Sequence, residues 1–113
     1  MENLHSICII TCWYGEFPWY FPYFIKSCRY NPTIDFFIIT DNTSLIKDQP
    51  ENVKIIYKTL DDFRRNASKK LGFEVEINNP YKLCDFKPAY GFLFPELIGP
   101  YNFWAHGDID MVY

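Results

Sequence analysis

No stretch of this 113-residue chain approaches the ~20 consecutive apolar residues that a membrane-spanning helix requires, so no transmembrane segment is expected. Charge is sparse, with Asp, Glu, Lys and Arg at 22% and a net charge of -3, which gives no general attraction for nucleic acid or an anionic surface. Nucleic acid is therefore not an expected partner. The local basic cluster, Arg64-Arg65 with Lys69-Lys70, falls on a predicted helix, where solvated charge usually resides. Four cysteines, Cys8, Cys12, Cys28 and Cys84, show neither a C-x-x-C zinc pair nor a dense disulfide framework, which suggests buried free thiols in a reducing compartment. The N-terminus lacks a basic leader and a small-residue cleavage site, so a soluble, cytoplasmic protein is expected. Also missing are G-x-G-x-x-G, the P-loop, G-x-S-x-G and H-E-x-x-H. Their absence argues against dinucleotide oxidoreductases, P-loop kinases, serine hydrolases and zincins.

What the chain has in quantity is apolar and aromatic side chains. Hydrophobic residues reach 49% and aromatics 20%, which excludes disorder and points to one well-filled core. At this length residues 1–113 read as a single domain.

Ser6 to Cys12 is a nearly continuous β-branched run, as expected of a strand buried on both faces in a parallel sheet. The prolines at 18 and 22 allow a helix that starts between Trp19 and Pro22 and ends near Arg29. Ile34 to Asp41 and Val53 to Tyr57 are the next strands. Thr59 is placed to cap a helix running to Lys70, with acidic residues in its first turn, basic ones in its last and Gly72 beyond. From Tyr81 to Leu97 the prolines at 88 and 95 predict one short helix to Lys87 and a second opening at Pro88. Asn102 to His106 is a fourth strand. Strands alternating with helices, with no repeat or linker, predict an α/β, Rossmann-like three-layer fold around a mainly parallel sheet.

Ligands of open α/β sheets lie outside the carboxyl ends of the strands, so the residues ending each strand matter most. These are Thr11-Cys12-Trp13, Thr40-Asp41-Asn42 and His106-Gly107-Asp108. If the fourth strand lies beside the first, the three ends share one crevice. Asp108 and Asp110, one residue apart beside Gly107, can present hard oxygens to Mn²⁺ or Mg²⁺ that keeps open positions for phosphate. A bare Asp-x-Asp is more often a capped or solvated turn, but here it follows an apolar strand containing Trp104.

The run Lys82-Leu83-Cys84-Asp85-Phe86-Lys87-Pro88-Ala89-Tyr90-Gly91 and the closing Phe103 to Tyr113 segment resemble GT-A-type glycosyltransferases. More closely, they resemble an uncharacterised bacterial glycosyltransferase-like family linked with polysaccharide synthesis. The resemblance implies a nucleotide-sugar-binding half, with a UDP-sugar as donor and a saccharide as acceptor. It implies Asp108 and Asp110 as ligands of metal and diphosphate, Thr11 and the backbone after it as a nucleoside contact, and Asp41 as an acceptor for base or ribose. Asp85 and Lys87 would line the same pocket, Lys87 toward phosphate. Asp41 has a competing role as a strand-end turn former, and Asp85 and Lys87 as a helix-end cap or ion pair. Trp13 and Tyr14 are candidates to stack a base or sugar, against the commoner role of packing helix on sheet. His106 is expected to be a core histidine, and no catalytic residue is identified. A membrane-surface role for the aromatic segment is disfavoured because it lacks the basic face of interfacial helices.

Such enzymes continue beyond their Asp-x-Asp motif, so the chain is expected to be a fragment truncated there, inactive alone, with a sheet edge open to homo-oligomer formation. The alternatives are a non-catalytic nucleotide-binding or interaction module, half of a split enzyme and, less favoured, a nucleotidyltransferase. The requirement common to the enzyme hypotheses is that the strand tips meet, and that the carboxylates do not sit in a dry, salt-bridged corner.

Overall fold

A computed structural model describes residues 6–44, 46, 48–77 and 86–109. Strand β1 spans Ile7–Trp13 and is followed by helix α1 (Phe21–Arg29), β2 (Ile34–Thr40) and β3 (Val53–Tyr57). Then come α2 (Leu60–Leu71), two single-turn helices α3 (Tyr90–Leu93) and α4 (Pro95–Ile98), and β4 (Phe103–His106). The four strands form one sheet in the order β3-β2-β1-β4, with every pairing parallel. Helices flank both faces, so the expected α/β, Rossmann-like three-layer architecture is observed.

Two apolar layers explain the near-continuous burial of the central strands. On one face Ile9, Phe36 and Ile38 pack with Phe21, Phe24 and Ile25 of α1. On the other, Cys8, Ile10, Phe37 and Ile39 pack with Phe63 and Ala67 of α2 and with Tyr90, Leu93 and Phe94. A strand covered on both sides cannot alternate polar with apolar, hence five consecutive buried residues at the end of β2. Burial of Cys8 and Cys28 pushes their thiols up to about 11 and about 12, with Asp35 adding to the effect at Cys8. Cys8, Cys12 and Cys28 are free, and Cys84 lies outside the described residues.

Local chemistry fixes the helix ends. The Thr59 hydroxyl accepts from Asp62 N–H while the Asp62 carboxylate accepts from Thr59 N–H, and Gly72 closes α2 in the left-handed conformation. Acceptance of the Thr59 N–H is the main reason that the Asp62 carboxyl is held below the usual carboxylate range. The segment after Lys87 differs from expectation. Residues 86–89 form a tight 3-10 turn across Pro88, helix begins at Tyr90, and Phe94 (φ -126, ψ 54) breaks it before Pro95 starts another. A residue preceding proline is driven out of the helical region, so Pro95 splits one expected helix into two. Residues 81–85 lie outside the described set.

Asn52, buried, ties the lower end of the sheet to α1. Its Nδ2 lies 2.9–3.0 Å from the carbonyls of Cys28, Asn31 and Ile34, and its own carbonyl accepts from Phe36 N–H. No helix among the described residues is long and apolar enough to cross a membrane.

Candidate functional site

The order β3-β2-β1-β4 means that the chain, having built outward from β1 through β2 to β3, returns to place β4 on the other side of β1. At such a reversal, the loops leaving the two adjacent strands diverge and leave a crevice at their carboxyl ends. Here those ends are Cys12-Trp13 of β1 and His106 of β4, and Gly107 N–H still donates to Ile10 C=O at 3.0 Å, extending the pairing to the brink of Asp108.

Two devices shape this end of the sheet. The first clamps the loop after β1. Gly15 adopts φ +96, and its N–H donates to Asp41 Oδ1 at 2.9 Å while its carbonyl accepts from Asn42 Nδ2 at 3.1 Å. Consecutive residues after β2 thus hold both polar groups of one peptide position, in a conformation that glycine adopts without the strain a side chain would bring. The Asn42 backbone is itself fixed, its N–H donating to Thr40 Oγ1 and its Oδ1 accepting from Ser44 N–H.

The second device is a cation facing a carboxylate. Lys87 Nζ lies 2.5 Å from Asp108 Oδ1, joining the turn at residues 86–89 to the exit of β4. The Asp108 side chain is 49% exposed, so the pair is wet rather than sealed in the core. Beside it, Cys12 is in hydrogen-bonding contact with Tyr90, whose ring meets the His106 imidazole edge-to-face at 6.4 Å. Burial pushes the Cys12 thiol up to about 12, outweighing the Tyr90 hydrogen bond and the Lys87 charge.

Gly91 brings these pieces together. A Cβ there would lie 2.6 Å from Trp104 Cζ2, so the α3 backbone rests directly against an indole of β4. Glycine at 91 sets how close the turn carrying Lys87 comes to the strand leading into Asp108.

The sequence candidates distribute as follows. Asp108 and Lys87 are brought together, and Asp41 lies at the mouth with its carboxylate engaged by Gly15. Thr11-Cys12-Trp13 ends β1 as expected, with Thr11 the innermost of the three. Thr11 is 2% exposed on the α1 side, and its Oγ1 has no hydrogen-bond partner among the described residues. Trp13 packs against the α1 layer and donates its indole N–H to Glu16 C=O. Tyr14 is buried in the opposite layer, so its ring is not open for stacking. Burial, and then the charges of Cys12, Asp41 and Asp62, push its phenol above the ordinary tyrosine range. His106, expected in the core, is exposed, because β4 is the outer strand of the described sheet. Asp85 and Asp110 lie outside the described residues. Tyr90 and Cys12 were missed. The available signal was that Tyr90 follows Lys87 by three residues and so shares its side of a helical turn.

As a metal site, the described residues provide one hard, half-exposed carboxylate, and no group of three His, Cys, Asp or Glu side chains converges among them. That fits a single protein position on a divalent cation whose other positions go to water and phosphate, and does not fit a closed structural site.

No curated protein and no solved structure matches the chain. The model of a family of unknown function, DUF6625, matches residues 9–113, and the chain belongs to that family.

Proposed function

We propose that the crevice between β1 and β4 binds a nucleoside diphosphate sugar, with UDP as the expected nucleotide, for transfer of the sugar to a saccharide acceptor. The supporting observation is the Lys87–Asp108 pair at the chain-reversal point of a parallel sheet, a carboxylate and a cation facing each other in water at the usual ligand position of such folds. Asp108, together with Asp110, would hold Mn²⁺ or Mg²⁺, which when bound supplies neutralisation of a departing diphosphate. Lys87 orients Asp108 and adds a positive charge where phosphate oxygens would lie. The clamp from Asp41 and Asn42 onto Gly15 pre-forms the loop that would face the nucleoside, lowering the entropy lost on binding.

The test is titration of UDP with and without Mn²⁺, followed by calorimetry, on the native chain and on Asp108→Asn. Metal-dependent affinity that falls at least tenfold in the variant supports the proposal, since loss of a charged contact is worth ~1.5–3 kcal/mol. UDP binding that ignores both metal and Asp108 refutes it. The Lys87 contact also favours a second reading, a nucleotide-binding module without catalysis. An ammonium already satisfying Asp108 can serve phosphate without metal, and UDP affinity would then depend on Lys87 alone. Donor hydrolysis in the presence of Mn²⁺ separates the two.

A further inference from the structure

Helix α1 and the residues flanking it expose three large aromatic rings, one before the helix, one within it and one at its C-cap. Trp19, Tyr23 and Tyr30 are 82%, 63% and 72% exposed. Tyr23 and Lys26, exposed as well, lie three apart on one face of α1, the Trp19 ring meets Tyr23 at 6.4 Å, and Tyr30 continues this strip at the C-cap. Beside the strip runs a groove of 490 Å³ whose lining includes Phe17, Phe21 and Ile46 together with Lys26, Arg29 and Asp48. Both features lie on the α1 side of the sheet, opposite the layer that carries Tyr90 and the Lys87 turn.

We propose that this face docks on an anionic membrane surface, with the aromatic strip at headgroup depth and the groove admitting part of a lipid. Three observations favour a bilayer over other occupants. Trp and Tyr, apolar rings with one polar tip, are the side chains that settle at the membrane–water boundary. Lys26 and Arg29 are both exposed on the groove side of the strip, supplying the positive charge that sequence alone did not show to be gathered on one face. Asp48 offsets part of it, leaving a local balance of one positive charge among these three groove residues, and the Arg29 guanidinium donates to the Asp48 carbonyl rather than to its carboxylate. Finally, the shape disfavours the alternatives. The Trp19 and Tyr23 rings are set at 81° to each other and give no flat platform for a sugar. The nine residues of α1 extend only ~14 Å, and with Trp19 and Tyr30 just beyond its ends the strip is still small for the ~800 Å² per partner of a stable dimer.

The experiment is co-sedimentation with vesicles of phosphatidylcholine alone and of phosphatidylcholine mixed with phosphatidylglycerol, alongside tryptophan emission. The expected result is preferential binding to the mixed vesicles with a blue shift of emission. Binding should be lost in Trp19→Ala/Tyr23→Ala and reduced about tenfold or more in Lys26→Gln/Arg29→Gln, from ~1 kcal/mol per surface cation. All four side chains are exposed, so circular dichroism should show both variants folded. No binding to either vesicle overturns the proposal, as does binding that either pair of substitutions leaves unchanged. A concentration-dependent dimer dispersed by Trp19→Ala/Tyr23→Ala would assign the face to a second copy and also overturn it. Neither UDP nor metal enters the experiment, so its outcome is independent of the crevice.

Discussion

Replacing Gly91 with alanine puts two opposed effects on one residue, and the structure decides between them. Inside a helix, alanine is favoured over glycine by ~0.5–1 kcal/mol through the conformational freedom that glycine loses. Against this, the new methyl would meet the Trp104 indole at 2.6, 2.7 and 2.8 Å from three of its atoms, about 1 Å inside comfortable carbon contact. Trp104 is not a freely swinging side chain: it packs on the layer that contains Cys8, Tyr90 and Leu93. Forcing extra volume into such packing costs ~1–3 kcal/mol. The balance is a loss of about 1 kcal/mol, or a fall in Tm of about 4 °C for a domain of this size.

The measurement is thermal unfolding of Gly91→Ala, Trp104→Leu and the pair. If contact with the indole is what requires glycine, the double-mutant cycle shows coupling, with alanine at 91 destabilising beside Trp104 and neutral or stabilising beside Leu. A Tm for Gly91→Ala equal to or above the native value, with Trp104 present, would show that the indole pivots away and would refute the claim that glycine sets the helix-to-strand distance. The effect also reaches the crevice. Lys87 lies four residues before Gly91, and Asp108 four after Trp104, so pushing α3 from β4 should weaken UDP binding by more than the stability loss accounts for.

Two further predictions concern the frame around the site. Asn52→Ala removes the donor near three carbonyls at a buried position and should cost ~2–3 kcal/mol in urea unfolding at unchanged m, whereas a cost below ~0.5 kcal/mol would mean that water replaces the amide. Thr59→Ala should cost ~1 kcal/mol at neutral pH. Asp62, its reciprocal partner, has a folded-state carboxyl below the usual range, so its contribution is present above roughly pH 4 and disappears as pH falls through the lowered value. The difference between native and Asp62→Ala chains should therefore shrink in acid, and a gap that holds constant down to pH 2 would contradict the reciprocal cap.

Elements whose signals are local were legible in the sequence. The β-branched runs of β1, β2 and β3 could be read to within a residue or so, and Thr59 and Gly72 marked the ends of α2 because capping acts within one turn. Sequence leaves the sheet order conditional, since nothing local says which strand lies beside β1. The end of β1 at Trp13 matches the sequence, but pairing of Thr11, Cys12 and Trp13 with Ile38, Ile39 and Thr40 keeps Thr11 within the sheet, where it is buried. His106, expected in the core, is exposed at the end of β4, the outer described strand. The Lys87–Asp108 contact spans 21 residues and depends on the missing side chain at 91, so charge spacing could not reveal it. Even so, both partners lie in the two segments that carry the glycosyltransferase resemblance.

The Lys87–Asp108 pair also permits a separation of stability from function. A carboxylate that is 49% exposed already has water to solvate it, and ion pairs in that setting contribute ~0–1 kcal/mol, because the Coulomb attraction is screened and both side chains lose freedom. Lys87→Met keeps an apolar stem of similar length while deleting the charge. Its Tm should fall by less than about 4 °C. The same substitution removes the cation that would meet phosphate, and UDP affinity in the presence of Mn²⁺ should drop about tenfold or more, the scale of a lost charged contact at ~1.5–3 kcal/mol. A structural pair would behave in the opposite way, with a large loss of stability that Asp108→Asn reproduces and with nucleotide affinity of the folded fraction unchanged. Calorimetry on the soluble, folded variant beside its melting curve distinguishes the two patterns. The second pattern would place the ion pair with the α2 cap and the Asn52 hub, as a brace between turn and sheet, and would leave the crevice without its only charged recognition group among the described residues that joins the two sides of the chain reversal.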